Sequence, residues 1–290
     1  MPRLLRLGTC LAIGLLWTVC SWSAAQNEKA AAAQPTGPFR KLAPGVMKPI
    51  DTTPEVKDTH ATHDVVELLA VDPKFDWAKE QTFRRDVWYL DFQFKPLRIV
   101  NVDIPQPGGK MKQTRVYYMV YTVTNPGKAL HPVKQDDGTY SIEYVDKPVR
   151  FVPEFVIESP EFKFVYPERV IPLAVPIIEN REDANRKLLN TVEMCREIGV
   201  GETLWGVATW DGIDPRIDHF EIYLQGLTNA YQWEDQAGAV KPGDPVGTGR
   251  RLAKKTLRIN FWRPGDEFFV NEREIRYGMP GKVDYDWVYR

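Results

Sequence analysis

The run VYYMVYTVT, residues 116–124, is apolar or aromatic at nearly every position. A strand with one face in water alternates apolar with polar residues, so a run without that alternation must be covered on both faces. It is predicted as a central strand, and the fold must supply a layer on each side of it. Other segments alternate. WYLDFQF sets Trp88, Leu90, Phe92 and Phe94 against Tyr89, Asp91 and Gln93. HFEIYLQ sets Phe220, Ile222 and Leu224 against His219, Glu221, Tyr223 and Gln225, and TLRINFW sets Leu257, Ile259 and Phe261 against Thr256, Arg258 and Asn260. These are half-buried strands. RFVPEFVIE groups Phe151, Phe155 and Ile157, LRIVNVDI follows Pro96, and EREIRYG and VDYDWVYR close the chain as short strands or a packed tail.

Turn chemistry separates these runs. QPGGK, Asn125-Pro126-Gly127, DDGT and RPGDE are chain reversals by composition. The chain holds 23 prolines in 290 residues and 12% aromatics, above the usual proline share of about 5%, which fits an extracellular β-rich chain. RVIPLAVPI, residues 169–177, reads as extended, its prolines suiting a sheet edge. One helix is expected after it, with Asn180 as N-cap, Asp183 in the first turn, and Ala184, Leu188, Val192 and Cys195 on one apolar face before Gly199. A short helix capped by Asp76 is expected in DPKFDWAKE. TLWGVATW and HFEIYLQ are expected to form a hairpin through WDGIDPRID. Many strands, one helix and no regular βαβ alternation predict a mainly β fold. The expected form is an antiparallel β-sandwich with one helix and long loop insertions.

The start of the chain reads as a secretory signal peptide over residues 1–25. Arg3 and Arg6 precede the apolar LGTCLAIGLLWTVCSW, and Ser23-Ala24-Ala25 forms a small-residue cleavage site. Residues 26–60, rich in Ala, Pro, Thr and charge, are expected as a disordered linker, and residues 61–290 as the domain. The apolar run is short of the roughly 20 residues of a membrane span, so no stable span is expected after cleavage. Cys10 and Cys20 leave with the leader, and Cys195 alone cannot make an internal disulfide. The formal net charge of −1 becomes more negative without Arg3 and Arg6, which argues against a dedicated nucleic-acid binder. The expected location is periplasmic or extracellular, and the expected partner an envelope protein or polysaccharide.

Two fragments carry a resemblance. VYYMVYTVTNPGK resembles the strand ending in a Thr-x-Asn turn in small extracellular immunoglobulin-like domains of bacteria. GETLWGVATW resembles a later strand of such domains, with Gly201, Glu202, Gly206 and Trp210 matching its pattern. Together with FKPLRIVNVDIP, GVATWDGIDPRIDHFEIYLQGLTNAY and LRINFWRPGDE, most of residues 60–290 resembles a group of uncharacterised secreted bacterial proteins. The resemblance implies an exported protein with an immunoglobulin-like core, and it brings no catalytic residues.

Asp211, Asp214 and Asp218 fall within WDGIDPRID. They are read first as turn residues bonding nearby amides, with a calcium site as the alternative use of an Asp-rich loop. His60, His63 and Asp64 can hold zinc only if further ligands converge, and His131 and His219 are the other histidines. The region after the leader has two serines, Ser141 and Ser159, neither in a nucleophile motif. Cys195 on an apolar helix face reads as an inert buried thiol. Tyr231 and Trp233, in the expected loop NAYQWEDQ, can stack on sugar rings beside Glu234 and Asp235, or can cover the end of the sandwich. The composite expectation is a non-enzymatic structural or interaction module of the cell envelope, with a carbohydrate-binding or carbohydrate-processing β-sandwich as the alternative.

Overall fold

The doubly apolar run is enclosed from both sides, by layers of different kinds. The computed structural model describes residues 45–50, 52, 86–136, 140–235, 244, 248–264 and 275–290, all within one unit, Gln34–Arg290. In chain order, the first half contains β1 (Lys48–Ile50), β2 (Asp91–Phe94), β3 (Arg98–Pro105), β4 (Met111–Thr124), β5 (Ala129–Lys134), β6 (Tyr140–Val145), β7 (Val149–Arg150), β8 (Glu154–Ser159) and β9 (Phe164–Pro167). Two short helices follow, α1 (Val175–Glu182) and α2 (Thr191–Met194). The remainder is β10 (Glu197–Ile198), β11 (Thr203–Asp211), β12 (His219–Gln225), β13 (Tyr231–Asp235), β14 (Arg250–Trp262), β15 (Arg276–Tyr277) and β16 (Tyr285–Tyr289).

The protein is mainly β, and its strand ladders are antiparallel. One sheet runs β1-β2-β4-β11, with β3 also on β4. The other runs β13-β14-β12-β8-β9, with β15 and β16 also on β14. Their inner faces share one core, the arrangement of a β-sandwich. Phe92, Phe94, Tyr117, Met119, Tyr121 and Val123 of the first sheet meet Phe155, Ile157, Phe220, Ile222, Leu224, Leu257, Ile259 and Phe261 of the second. Aromatic pairs cross the interface: Tyr121 and Phe155 lie 4.9 Å apart at the ring centroids, and Phe94 and Phe261 meet edge-on at 5.8 Å. Fully burying one such side chain is worth about 1.5–3 kcal/mol. Gly206 makes room for the Tyr121 ring, since a Cβ there would lie 2.5 Å from it.

The opposite face of β4 carries Val116, Tyr118 and Val120, which form a second cluster with Val102, Val207, Ile171, Ala174, Ile178 and Leu188. The covering layer is thus the 171–188 segment with α1. This corrects the expectation of an extended edge at 169–177. Ile171, Ala174 and Ile178 recur at intervals of three and four, which is a helical stripe, and Pro176 sits in the first turn, where its missing N–H costs nothing. The expected helix from Asn180 is also corrected. Asn180 lies inside α1, which ends at Asp183. Leu189 then bridges Gly206 in an extended conformation. Asn190 caps α2 through a capping box with Glu193. Val192 is 70% exposed and Cys195 is exposed, so the proposed apolar face does not exist.

Two more boundaries differ from expectation. Lys48–Ile50, inside the expected linker, pairs with Phe92–Phe94 as an edge strand, and Ile50 is buried in the core. The β11–β12 hairpin is replaced by a crossover: β11 pairs with β4, whereas β12 pairs with β8 and β14. The connecting turn drops Ile213 and Ile217 into the core between the sheets, which a tight hairpin within one sheet does not do. QPGGK turns as expected, the Gln106 N–H donating to the Lys110 carbonyl at 2.8 Å. The leader, residues 26–44, 51 and 53–60 of the linker, the Asp76 helix and the His60, His63, Asp64 group lie outside the described residues. No helix among the described residues is long and apolar enough to cross a membrane.

Candidate functional site

At one end of the second sheet, residues at or near the ends of β7, β8, β12, β13 and β14 surround a cleft of about 510 Å3. That lies within the size range of small-ligand sites. Trp88 and Tyr231 supply aromatic surface, Val152 and Leu252 supply apolar walls, and Arg150, Glu154, Gln225 and Lys254 supply polar groups. The strand register sets their order. Gln225 stands opposite Glu154 across β12 and β8, and Tyr231 stands opposite Lys254 across β13 and β14.

The segment carrying Trp88 is laced to the 227–230 segment. The Trp88 N–H donates to Asn229 Oδ1 at 2.9 Å, the Thr228 hydroxyl donates to the Trp88 carbonyl at 2.6 Å, and Asn229 Nδ2 donates to the Asp86 carbonyl at 2.8 Å. Behind them Val87, Tyr89, Leu130 and Ala230 form a small apolar cluster. The Asp86 carboxylate faces His131 and Lys147. Burial pushes its pKa up, but the hydrogen bonds from His131 and Lys147 outweigh this and hold it below the ordinary value. A supported backbone fixes the aromatic group before any ligand arrives, which lowers the entropic cost of binding.

Gly226 shapes the floor. Its φ is +97°, and a Cβ there would lie 2.3 Å from the Val152 carbonyl oxygen. Gly226→Ala is therefore expected to lower unfolding stability by about 2 kcal/mol or more, from a left-handed backbone and a backbone clash together. A shift of the urea midpoint with unchanged slope would measure it.

In contrast to this supported scaffold, the side chains of Arg150, Glu154, Gln225 and Lys254 hold no hydrogen bond or ion pair among the described residues. Val152 and Leu252 are 54% and 61% exposed. Ready polar groups beside exposed apolar surface in a concavity are what a ligand site requires. Tyr231 and Trp233, expected in a loop, lie instead on β13, with Trp233 in register opposite Leu252. The period-two order of NAYQWEDQ carries that strand signal. The Trp233 side chain lies outside the described part. Arg150, Glu154, Gln225 and Lys254 were not legible as site residues, because each is an ordinary polar residue near a strand end. Trp88 packs partly against the core, as its place in the apolar series of its strand requires, so alternation alone does not mark it as a cleft residue.

The aspartate segment does not converge. Asp211 accepts two bonds from Arg169 Nη1, at 2.9 and 3.0 Å. Asp214 accepts from Arg216 Nη2 at 2.7 Å and from the Arg216 N–H at 2.9 Å. These bonds hold its carboxyl down to about 2. Asp218 lies 3.7 Å from Arg263, and burial pushes its pKa up against the pull of that arginine. Arg263 is fully buried, and its Nη2 donates to the Pro215 and Ile217 carbonyls, the latter at 2.7 Å. Each carboxylate thus faces its own arginine, an arrangement that ties down a crossover. Among the described residues no group of three or more His, Cys, Asp or Glu is placed to hold a metal. Ser159 is buried and its hydroxyl accepts the Phe162 N–H.

Fold and cleft together define a mainly β protein of sandwich architecture with a ligand-sized cleft at one end of a sheet. No family model, curated protein or solved structure matches the chain.

Proposed function

We propose that this chain is an exported, non-enzymatic β-sandwich, with an immunoglobulin-like core, that binds carbohydrate in the cleft beside Trp88 and Tyr231. The carrying observation is a set of polar side chains, Arg150, Glu154, Gln225 and Lys254, that have no partner among the described residues and line a concavity that also presents aromatic rings. Sugars offer hydroxyls for such groups and apolar ring faces for Trp and Tyr. Export is supported by the leader-like residues 1–25. Binding in preference to turnover is supported by the carboxylate content of the cleft. Glu154 is the one carboxylate among its described lining residues, and hydrolysis of a glycosidic bond generally takes two.

The test is calorimetric titration with a panel of envelope and extracellular polysaccharides. Trp88→Ala and Tyr231→Ala are each expected to weaken binding about tenfold or more, as loss of a central aromatic contact does, while the melting temperature shows that the fold is kept. Failure of the whole panel to bind, or unchanged affinity in both variants, would overturn the proposal. Release of reducing sugar would overturn its non-enzymatic part.

A further inference from the structure

We infer that the carbohydrate taken by this cleft is acidic, carrying carboxylate groups that neutralise Arg150 and Lys254; this rests on the carbohydrate reading above. Several arginines of the protein pair with its own carboxylates. Arg98 pairs with Glu182, Arg169 with Asp211, Arg216 with Asp214, Arg258 with Asp286 and Arg290 with Glu158. Arg150 and Lys254 line one cleft and hold no such partner among the described residues, although Glu154 lines the same cleft.

Two cations against one carboxylate among the described lining residues give the cleft a positive excess, within a chain whose formal net charge is −1. A concavity of sign opposite to the whole concentrates an oppositely charged ligand. The guanidinium of Arg150 matches a carboxylate with two parallel N–H donors, whereas the Lys254 ammonium acts as a point charge. Glu154, beside Gln225 in register, supplies the acceptor that sugar hydroxyls need. It also disfavours ligands of dense charge, such as polyphosphate. The chemistry that fits all four groups is a chain of sugars with spaced carboxylates, a uronate polysaccharide.

The experiment compares oligosaccharides of polygalacturonate, alginate and hyaluronate with their carboxyl-reduced counterparts, which keep the sugar rings and lose the charge. The acidic forms are expected to bind at least tenfold more tightly, and that preference should shrink as salt rises. Arg150→Gln and Lys254→Gln, both at exposed positions, are each expected to narrow the acidic-to-neutral ratio several-fold. Equal affinity for both forms, or a ratio unmoved by both substitutions, would overturn the inference and leave the carbohydrate reading standing. Binding of only neutral glycans would do the same. If neither acidic nor neutral polysaccharides bind, the carbohydrate reading fails and takes this inference with it.

Discussion

Replacing Glu182 with alanine is expected to lower the unfolding free energy by about 3–5 kcal/mol, the cost of breaking a buried charge network by removing one partner. Glu182 closes α1 and receives three donors from the outer face of the first sheet. Lys95 Nζ lies at 3.0 Å, Arg98 Nη1 at 2.7 Å and the Tyr118 hydroxyl at 2.7 Å. Lys95 is 7% exposed, so the variant leaves an ammonium with neither water nor carboxylate. Chemical denaturation of wild type and Glu182→Ala at neutral pH measures the loss. The pH dependence has a definite sign. Burial pushes the Glu182 carboxyl up, but hydrogen bonds from Tyr118 and Lys95, with the Arg98 charge, outweigh it and hold the folded-state value below the ordinary one. The stabilisation is therefore present above the unfolded-state value and fades as pH falls through the folded one. The gap between wild type and variant should narrow in acid. A gap that is small at neutral pH, or that widens in acid, contradicts the network's role in fastening the helical layer to β4.

Glu168→Gln is expected to act in the opposite direction, stabilising the protein by about 2–3 kcal/mol above pH 7. Glu168 follows β9, where the Thr191 hydroxyl donates to its carboxylate. Burial is the dominant influence, and the bonds from Thr191 and from the Thr209 backbone only partly counter it. The carboxyl is pushed up from 4.5 to about 7. The folded state then holds a proton that the unfolded state releases. The Glu168 contribution to stability should be greatest below about pH 4.5, fall as pH rises towards about 7, and level off beyond. At about 1.4 kcal/mol per tenfold in proton affinity, the full fall is about 3 kcal/mol, less what solvent screening removes. Glutamine keeps an acceptor for Thr191 and carries no charge to bury, so the fall that Glu168 causes over this window should be missing from its profile. Thermal melts at pH 4.5 and pH 8 decide the matter. Equal pH slopes in the two proteins would show that Glu168 is not the group responsible.

Most of the sheet residues were legible because alternation reports burial directly. Phe92, Phe94, Phe220, Ile222, Leu224, Leu257, Ile259 and Phe261 all face the shared core as their spacing requires. The unbroken apolar run of β4 announced two covering layers before either was identified. The nature of one layer was not legible. In RVIPLAVPIIEN two prolines spoke for an edge strand, and the stripe of Ile171, Ala174 and Ile178 became decisive only when Tyr118 and Val120 stood waiting to be covered.

The candidate site was legible only in part. Tyr231 could be singled out because an aromatic residue among polar neighbours is conspicuous in sequence. Trp88 was hidden by its place in a core-facing series, and Arg150, Glu154, Gln225 and Lys254 by being ordinary surface residues. They come from β7, β8, β12 and β14, and only the tertiary arrangement of these strands brings them to one cleft. The aspartates erred in the other direction: closeness along the chain suggested a common site, while the fold gave each a separate arginine.

What the sequence determined alone is strand character, the inward face of the half-buried strands and the double burial of β4. Each follows from side-chain period and water exclusion within a few residues. Tertiary structure decided which strands share a sheet, that residues 211–219 cross between sheets, and which unpaired side chains meet in the cleft. Those outcomes depend on contacts between residues far apart in the chain, for which local periodicity carries no signal.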